Sequence, residues 1–247
     1  MAIVNVYSNV ETQSMAAAEL FAKKVCQAVE ERGRCNVVLA GGGTPRLMYE
    51  LLAGKPYCSA IPWAKVHVYW GDERCVPANH QLSNQLMARQ SFLDHVPIPE
   101  ANIHPIVYDG SPSMAAEQYE QVLQATFKGQ TPQFDLVFLG VGDNGHTASL
   151  FPDTEALKIQ DSWVSEVYIA EQDIYRVTLT APILNQAATI VFLVTGSTKA
   201  QVLKEVIEGP PDHTRLPAQL IKPVHGEIYW LLDQGAAALL NLETKDL

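Results

Sequence analysis

The sequence predicts an α/β protein built on a mainly parallel open sheet with helices on both faces, and three observations predict it. Short β-rich apolar runs alternate with amphipathic stretches along the whole chain. Several of those runs, such as residues 134–139 with only Asp135 interrupting, are too uniformly apolar to be half-exposed strands and suit buried parallel ones. Glycine-rich or charged segments follow four of the runs, where open α/β sheets carry their chemistry.

Taken in order, residues 2–7 read as a strand, and residues 11–32 place Met15, Ala18, Ala22, Val25 and Val29 at helical spacing. Residues 36–40 form a second strand running into Gly41-Gly42-Gly43-Thr44-Pro45. Helix 46–52 follows, with Thr44 the expected N-cap and Pro45 at the first helical position. A third strand, 66–70, ends in Gly71-Asp72-Glu73-Arg74; helices are expected over 83–95 and 113–127, separated by the chain-breaking Pro97, Pro99 and Pro105. After the strand at 134–139, further strands are expected at 163–169, 175–180, 189–194 and 227–232. A helix over 199–208 is closed by Gly209-Pro210-Pro211, and a short helix ends the chain. No repeat or linker interrupts residues 1–247, which we read as a single domain.

Seventeen basic against 27 acidic residues give a net charge of −10, which argues against a general nucleic-acid or anionic-membrane surface. An anionic ligand must therefore be caught locally. The first residues lack a signal-peptide pattern and no apolar run approaches a membrane span, so the expected location is the cytoplasm. Cys26, Cys35, Cys58 and Cys75 show no C-x-x-C spacing and suggest neither a zinc knuckle nor a dithiol centre. No metal site is expected.

Four strand ends, GGGTP, GDER, GVGDNGH and GSTK, converge on one rim if the strands are parallel. Between them they supply two glycine loops, the Arg74 guanidinium, the Lys199 ammonium and the His146 imidazole, which suits a phosphorylated small molecule and one proton transfer. Each feature has a plainer reading. A triple glycine is equally a tight turn, Arg74 could pair with Asp72 or Glu73, and a lysine at a helix start is usually solvated. The other six histidines carry no such frame. Gly140-Val141-Gly142-Asp143-Asn144-Gly145 formally matches G-x-G-x-x-G. It lies mid-chain and Pro152 follows too soon for the long helix a dinucleotide fingerprint opens. Neither G-x-S-x-G nor H-E-x-x-H occurs, so a hydrolase of this sequence would use water as nucleophile.

The segments GGGTP, GDERCVPANHQLSNQ, GVGDNGHTASLFP, RVTLT and TGSTKAQV, in this order, resemble the 6-phosphogluconolactonases over nearly the whole chain. The resemblance implies the sugar-phosphate isomerase and deaminase type of fold, hydrolysis of 6-phosphoglucono-1,5-lactone in the oxidative pentose phosphate pathway, and no cofactor. It implies a sugar-phosphate partner and a monomer or weak homodimer. It makes His146 the general base and the glycine loops, Gly142 among them, candidates for the oxyanion. Arg74 and Lys199, with Gly42, Gly43 and Thr44, would hold the phosphate, and Arg176 is a weaker candidate for the same pocket. The sequence departs from the family pattern where Asn144 stands in place of an aspartate two residues before the histidine. An amide orients an imidazole but cannot stabilise an imidazolium by charge. Either activity survives with a less elevated histidine pKa, or Asp143 or Asp72 takes over. Glucosamine-6-phosphate deaminases resemble the chain less well, since they continue the histidine motif differently, and a non-catalytic sugar-phosphate sensor is the alternative from another class.

Overall fold

The structure, a computed structural model, describes residues 2–128, 130 and 132–241. Strands β1 (Ala2–Tyr7), β2 (Cys35–Leu39), β3 (Val66–Trp70), β4 (Asp72–Arg74), β5 (Ile103–His104), β6 (Leu136–Leu139), β7 (Val164–Ile169), β8 (Ile174–Leu179), β9 (Thr189–Val194) and β10 (Glu227–Asp233) alternate with helices. The helices are α1 (Val10–Arg32), α2 (Thr44–Ala53), α3 (Tyr57–Ala60), α4 (Asn84–Ser91), α5 (Pro112–Phe127), α6 (Ala181–Leu184), α7 (Ala200–Glu208) and α8 (Gln234–Ala237). Seven strands pair in the order β1-β10-β9-β6-β2-β3-β5, every neighbouring pair parallel.

Every side chain of β2, β6 and β9 is buried, on both sides of the pleat. A strand loses both faces to solvent only when both are covered, which is why these runs read as continuous apolar stretches. α1 lies against β1, β2, β6 and β10. Its start is fixed by a reciprocal Asn9–Thr12 capping box and its end by Gly33 at φ 76°, a left-handed C-cap that glycine adopts without strain. Phe21 on α1 stacks on Phe138 of β6 and meets Trp63, which meets Phe92, which in turn stacks on Tyr49. This aromatic seam ties α1, α2 and the chain after α4 to the centre of the sheet.

The chain runs outward from β2 through β3 to β5, returns to β6 and then moves the other way through β9 to β10. Strand order therefore reverses between β2 and β6, and a crevice opens there at the carboxyl ends.

The expected elements are present with three corrections. GDER is not a loop: Asp72–Arg74 forms β4, antiparallel to β8, which also pairs with β7 in a separate three-stranded sheet. Three consecutive charged residues carry no strand pattern, and only the partner strand makes one of them. The two-residue β5 was likewise too short to show a period. Thr44 is not the N-cap of α2; Gly43 is, with no side-chain cap, and the Thr44 hydroxyl lies 3.4 Å from that of Thr195 instead.

Candidate active site

The loop after β6 is shaped by contacts only glycine permits. The Gly142 amide donates to the His146 carbonyl at 2.8 Å, and that of Gly145 to the Gly142 carbonyl at 3.0 Å, with Gly145 at φ 81°. A Cβ on Gly142 would lie 2.0 Å from His146 Nδ1 and Cε1. The imidazole therefore packs against bare backbone.

Asn144 fixes the state of that ring. Its Oδ1 accepts from the His146 backbone N–H at 3.2 Å and sits 2.6 Å from His146 Nδ1. A backbone N–H only donates, so the amide oxygen, not its nitrogen, faces the histidine. Nδ1 accordingly carries the hydrogen and Nε2 keeps its lone pair. Phe151 stacks on the ring at 3.8 Å between centroids and 14° between planes. Burial, and then the Arg176 guanidinium, push the His146 pKa down to about 4; Lys199 adds to the lowering, while Asp72 and Asp143 oppose it. The imidazole is therefore neutral and oriented at pH 7.

β4 and β8 place charge beside it. Arg74 and Arg176 are register partners across the antiparallel pair, so both guanidinium groups leave the same face. Arg176 is 6% exposed and lies 3.5 Å from Asp72 Oδ2, and its guanidinium stands over Phe151 at 5.2 Å. Arg74 Nη1 donates to the Leu82 carbonyl at 2.7 Å. The Nε of both arginines is buried without a partner, the condition expected of donors awaiting an anion.

Asp72 reaches the same place but does not bond His146. Ser149 donates to its Oδ2 at 2.6 Å, and Asn84 Nδ2 donates to its carbonyl at 2.9 Å and to Oδ1 at 3.3 Å. Asn84 is held in turn by Glu73, whose buried carboxylate accepts from the backbone N–H groups of Arg74, Asn84 and Gln85 and from the Ser83 hydroxyl. That carboxylate sits on the N-terminus of α4, where the helix dipole favours it. Asp143 is exposed and pairs with Lys199 at 2.5 Å.

These groups surround one cavity of about 260 Å³, lined by Gly41 to Pro45, Asp72, Arg74, Asn84, Gly142, His146, Arg176, Thr195 and Lys199 among others. Gly42, at φ 89°, and Gly43 turn the chain into α2, so the N-terminus of that helix opens on the cavity and adds its partial positive charge. Of the candidates from the sequence, only Asn144 and Asp143 do not line this cavity: Asn144 stands behind the ring it orients, and Asp143 pairs with Lys199. Sequence reasoning missed Asn84, Ser149, Phe151 and Thr195 as individual residues, although all four lie inside motifs it quoted. Among the described residues, no three His, Cys, Asp or Glu side chains are grouped to hold a metal ion, and no helix is long and apolar enough to cross a membrane.

A strand-order crevice carrying an oriented histidine opposite cations defines the class, and comparison with known families agrees. Residues 8–230 match the family described as glucosamine-6-phosphate isomerases/6-phosphogluconolactonase, and the chain belongs to it. Within that family its similarity runs to lactonases. It is 44% identical to the 6-phosphogluconolactonase of Synechocystis sp. over 88% of this chain and 90% of that one. It is 36% identical to the human 6-phosphogluconolactonase over 97% and 94%. The solved structure of 6-phosphogluconolactonase from Trypanosoma brucei superposes with a TM-score of 0.85 at 25% identity, covering 97% of this chain and 99% of that one.

Proposed function

We propose that the chain hydrolyses 6-phosphoglucono-1,5-lactone to 6-phosphogluconate, metal-independently, with His146 Nε2 as the base. The observation that carries this reading is the His146–Asn144 contact of 2.6 Å inside a cavity that also receives Arg74, Arg176 and Lys199. A phosphate held by these cations and the N-terminus of α2 sets the register of the ligand and leaves its lactone end at the imidazole.

Water lying between Nε2 and the lactone carbonyl gives its proton to Nε2 as its oxygen bonds to C1. The carbonyl electrons move onto oxygen, where the backbone N–H groups of the glycine loops stabilise them. The tetrahedral intermediate collapses with cleavage of the bond from C1 to the ring oxygen, and the imidazolium returns its proton to that oxygen. The carboxylic acid then loses a proton to solvent. A histidine of low pKa is a weak base but a strong acid, which suits an activated ester whose leaving group is an alkoxide. Bound phosphate, being anionic, raises that pKa toward the operating range. Lys199 exchanges Asp143 for phosphate, and the exposed Asp143 rehydrates at little cost.

The test is proton release in a pH-stat from freshly generated 6-phosphogluconolactone, against its spontaneous rate. Acceleration that saturates with substrate supports the reading. No acceleration contradicts it, and ammonia release from glucosamine 6-phosphate would assign the deaminase reaction instead.

A further inference from the structure

The segment that follows His146 folds back under its ring. Thr147 Oγ1 donates to the Gly140 carbonyl at 2.8 Å and the Leu150 amide to the Thr147 carbonyl at 2.9 Å, a tight turn that holds Ala148 at φ 47°. A left-handed alanine persists only where its surroundings impose it. On the far side, the Thr154 hydroxyl donates to the Phe151 carbonyl at 2.8 Å. Held at both ends, the Phe151 ring is 5% exposed and lies face to face with the imidazole, 3.8 Å between centroids and 14° between planes. Two neutral π systems avoid so direct a sandwich, because their negative faces repel, and prefer an offset or edge-on arrangement. A cation seeks it. The stack suits the imidazolium better than the imidazole.

Resting on the reading of His146 as the base, we propose that Phe151 is a positioning residue whose π face stabilises the His146 imidazolium formed as water gives up its proton. The interaction is stronger after proton transfer than before it, which is the condition for lowering the barrier rather than only tightening binding. Besides burial, the charged groups acting on His146 are Arg176 on β8 and Lys199 after β9, which oppose the imidazolium, and Asp72 on β4 and Asp143 on the histidine's own loop, which favour it. Both carboxylates are engaged elsewhere, Asp72 by Ser149 and Asn84 and Asp143 by Lys199. Asn144 supplies an oxygen without a charge. Phe151 thus gives the protonated ring, in direct contact, part of the stabilisation that a carboxylate at position 144 would give. The same phenyl ring receives the Arg176 guanidinium, whose Cζ lies 5.2 Å from its centroid. Burial by Phe151 acts in the opposite sense, since it removes water from the imidazolium. A probe of the π face must therefore leave that burial unchanged.

Pentafluorophenylalanine incorporated at Phe151 meets that condition, because it keeps the shape of the ring and inverts its quadrupole. The pH dependence of kcat on 6-phosphogluconolactone, and the titration of the His146 ring resonances without substrate, are compared with wild type. The imidazolium loses its stabilisation, so the ring pKa should fall by about 0.5–1 pH unit and the acidic limb of kcat should move to lower pH with it, kcat itself falling several-fold at little-changed KM. Phe151→Leu, apolar but without a π face, should shift the titration the same way and decides the question if the fluorinated protein does not fold. A ring titration that stays in place or moves to higher pH overturns the proposal, as does a lowered ring pKa with kcat and its acidic limb unchanged. Because the titration is read without substrate, a wild type that fails to hydrolyse the lactone contradicts the proposed function, while the ring pKa still decides whether Phe151 stabilises the imidazolium.

Discussion

An amide oxygen beside an imidazole fixes direction without supplying charge, and Asn144 separates those two functions. Its oxygen holds Nδ1–H, while burial, and then Arg176, keep the pKa of the ring near 4. Asn144→Asp adds a negative charge at the same distance, favours the imidazolium and raises the pKa. The acidic limb of the kcat profile should therefore move to higher pH; superimposable profiles would mean that the residue takes no part in setting the base. A second prediction concerns Lys199. Removing its partner in Asp143→Asn should lower KM by up to about fivefold at unchanged kcat, since exposed pairs of this kind are worth about 0–1 kcal/mol. A raised KM would show that Asp143 positions Lys199 rather than competing for it. His146, Gly142 and Lys199 were legible in the sequence because glycine and a lone titratable group stand out from their surroundings. Ser149 and Asn84 were not, because a hydroxyl or amide acting on Asp72 has no spacing of its own.

At the scale of elements, the site depends on how α4 begins. Glu73 gathers three backbone N–H groups and a hydroxyl onto one carboxylate, and burial raises its pKa although those hydrogen bonds oppose the rise. Glu73→Gln turns one acceptor into a donor facing donors. The expected cost is about 1–3 kcal/mol, read as a lower denaturant midpoint, together with weakened catalysis as Asn84 loses its place. Stability equal to wild type would show that the carboxylate is dispensable. The same element shows where sequence reading stops. The long periodic helix α1 and the apolar strands announce themselves, whereas β4 is a strand only because β8 lies beside it. β2 ends at Leu39, one residue short of the expected Ala40, and the cap of α2 fell to Gly43 because the turn geometry left Thr44 inside the helix.

Across the whole molecule, parallel strands and one reversal of strand order bring four distant segments to one cavity, and that convergence was readable from their order. The same packing leaves His67, His104 and His146 with lowered pKa values. Below pH 6.5 the unfolded chain takes up protons that the folded one refuses until about pH 4 at His104 and His146, so stability must fall as pH drops through that window and is unaffected by these groups above it. Unfolding free energies measured at pH 7 and pH 5 should differ less for His104→Gln than for wild type; equal differences would remove His104 from the linkage. The claim on which the rest depends is that a single imidazole at this rim performs the hydrolysis. Turnover of 6-phosphogluconolactone by wild type and His146→Ala, corrected for the spontaneous rate, tests it directly. The account predicts a kcat about 10²- to 10⁴-fold lower with KM little changed, whereas a variant retaining wild-type turnover would contradict it and move the base to another group in the cavity.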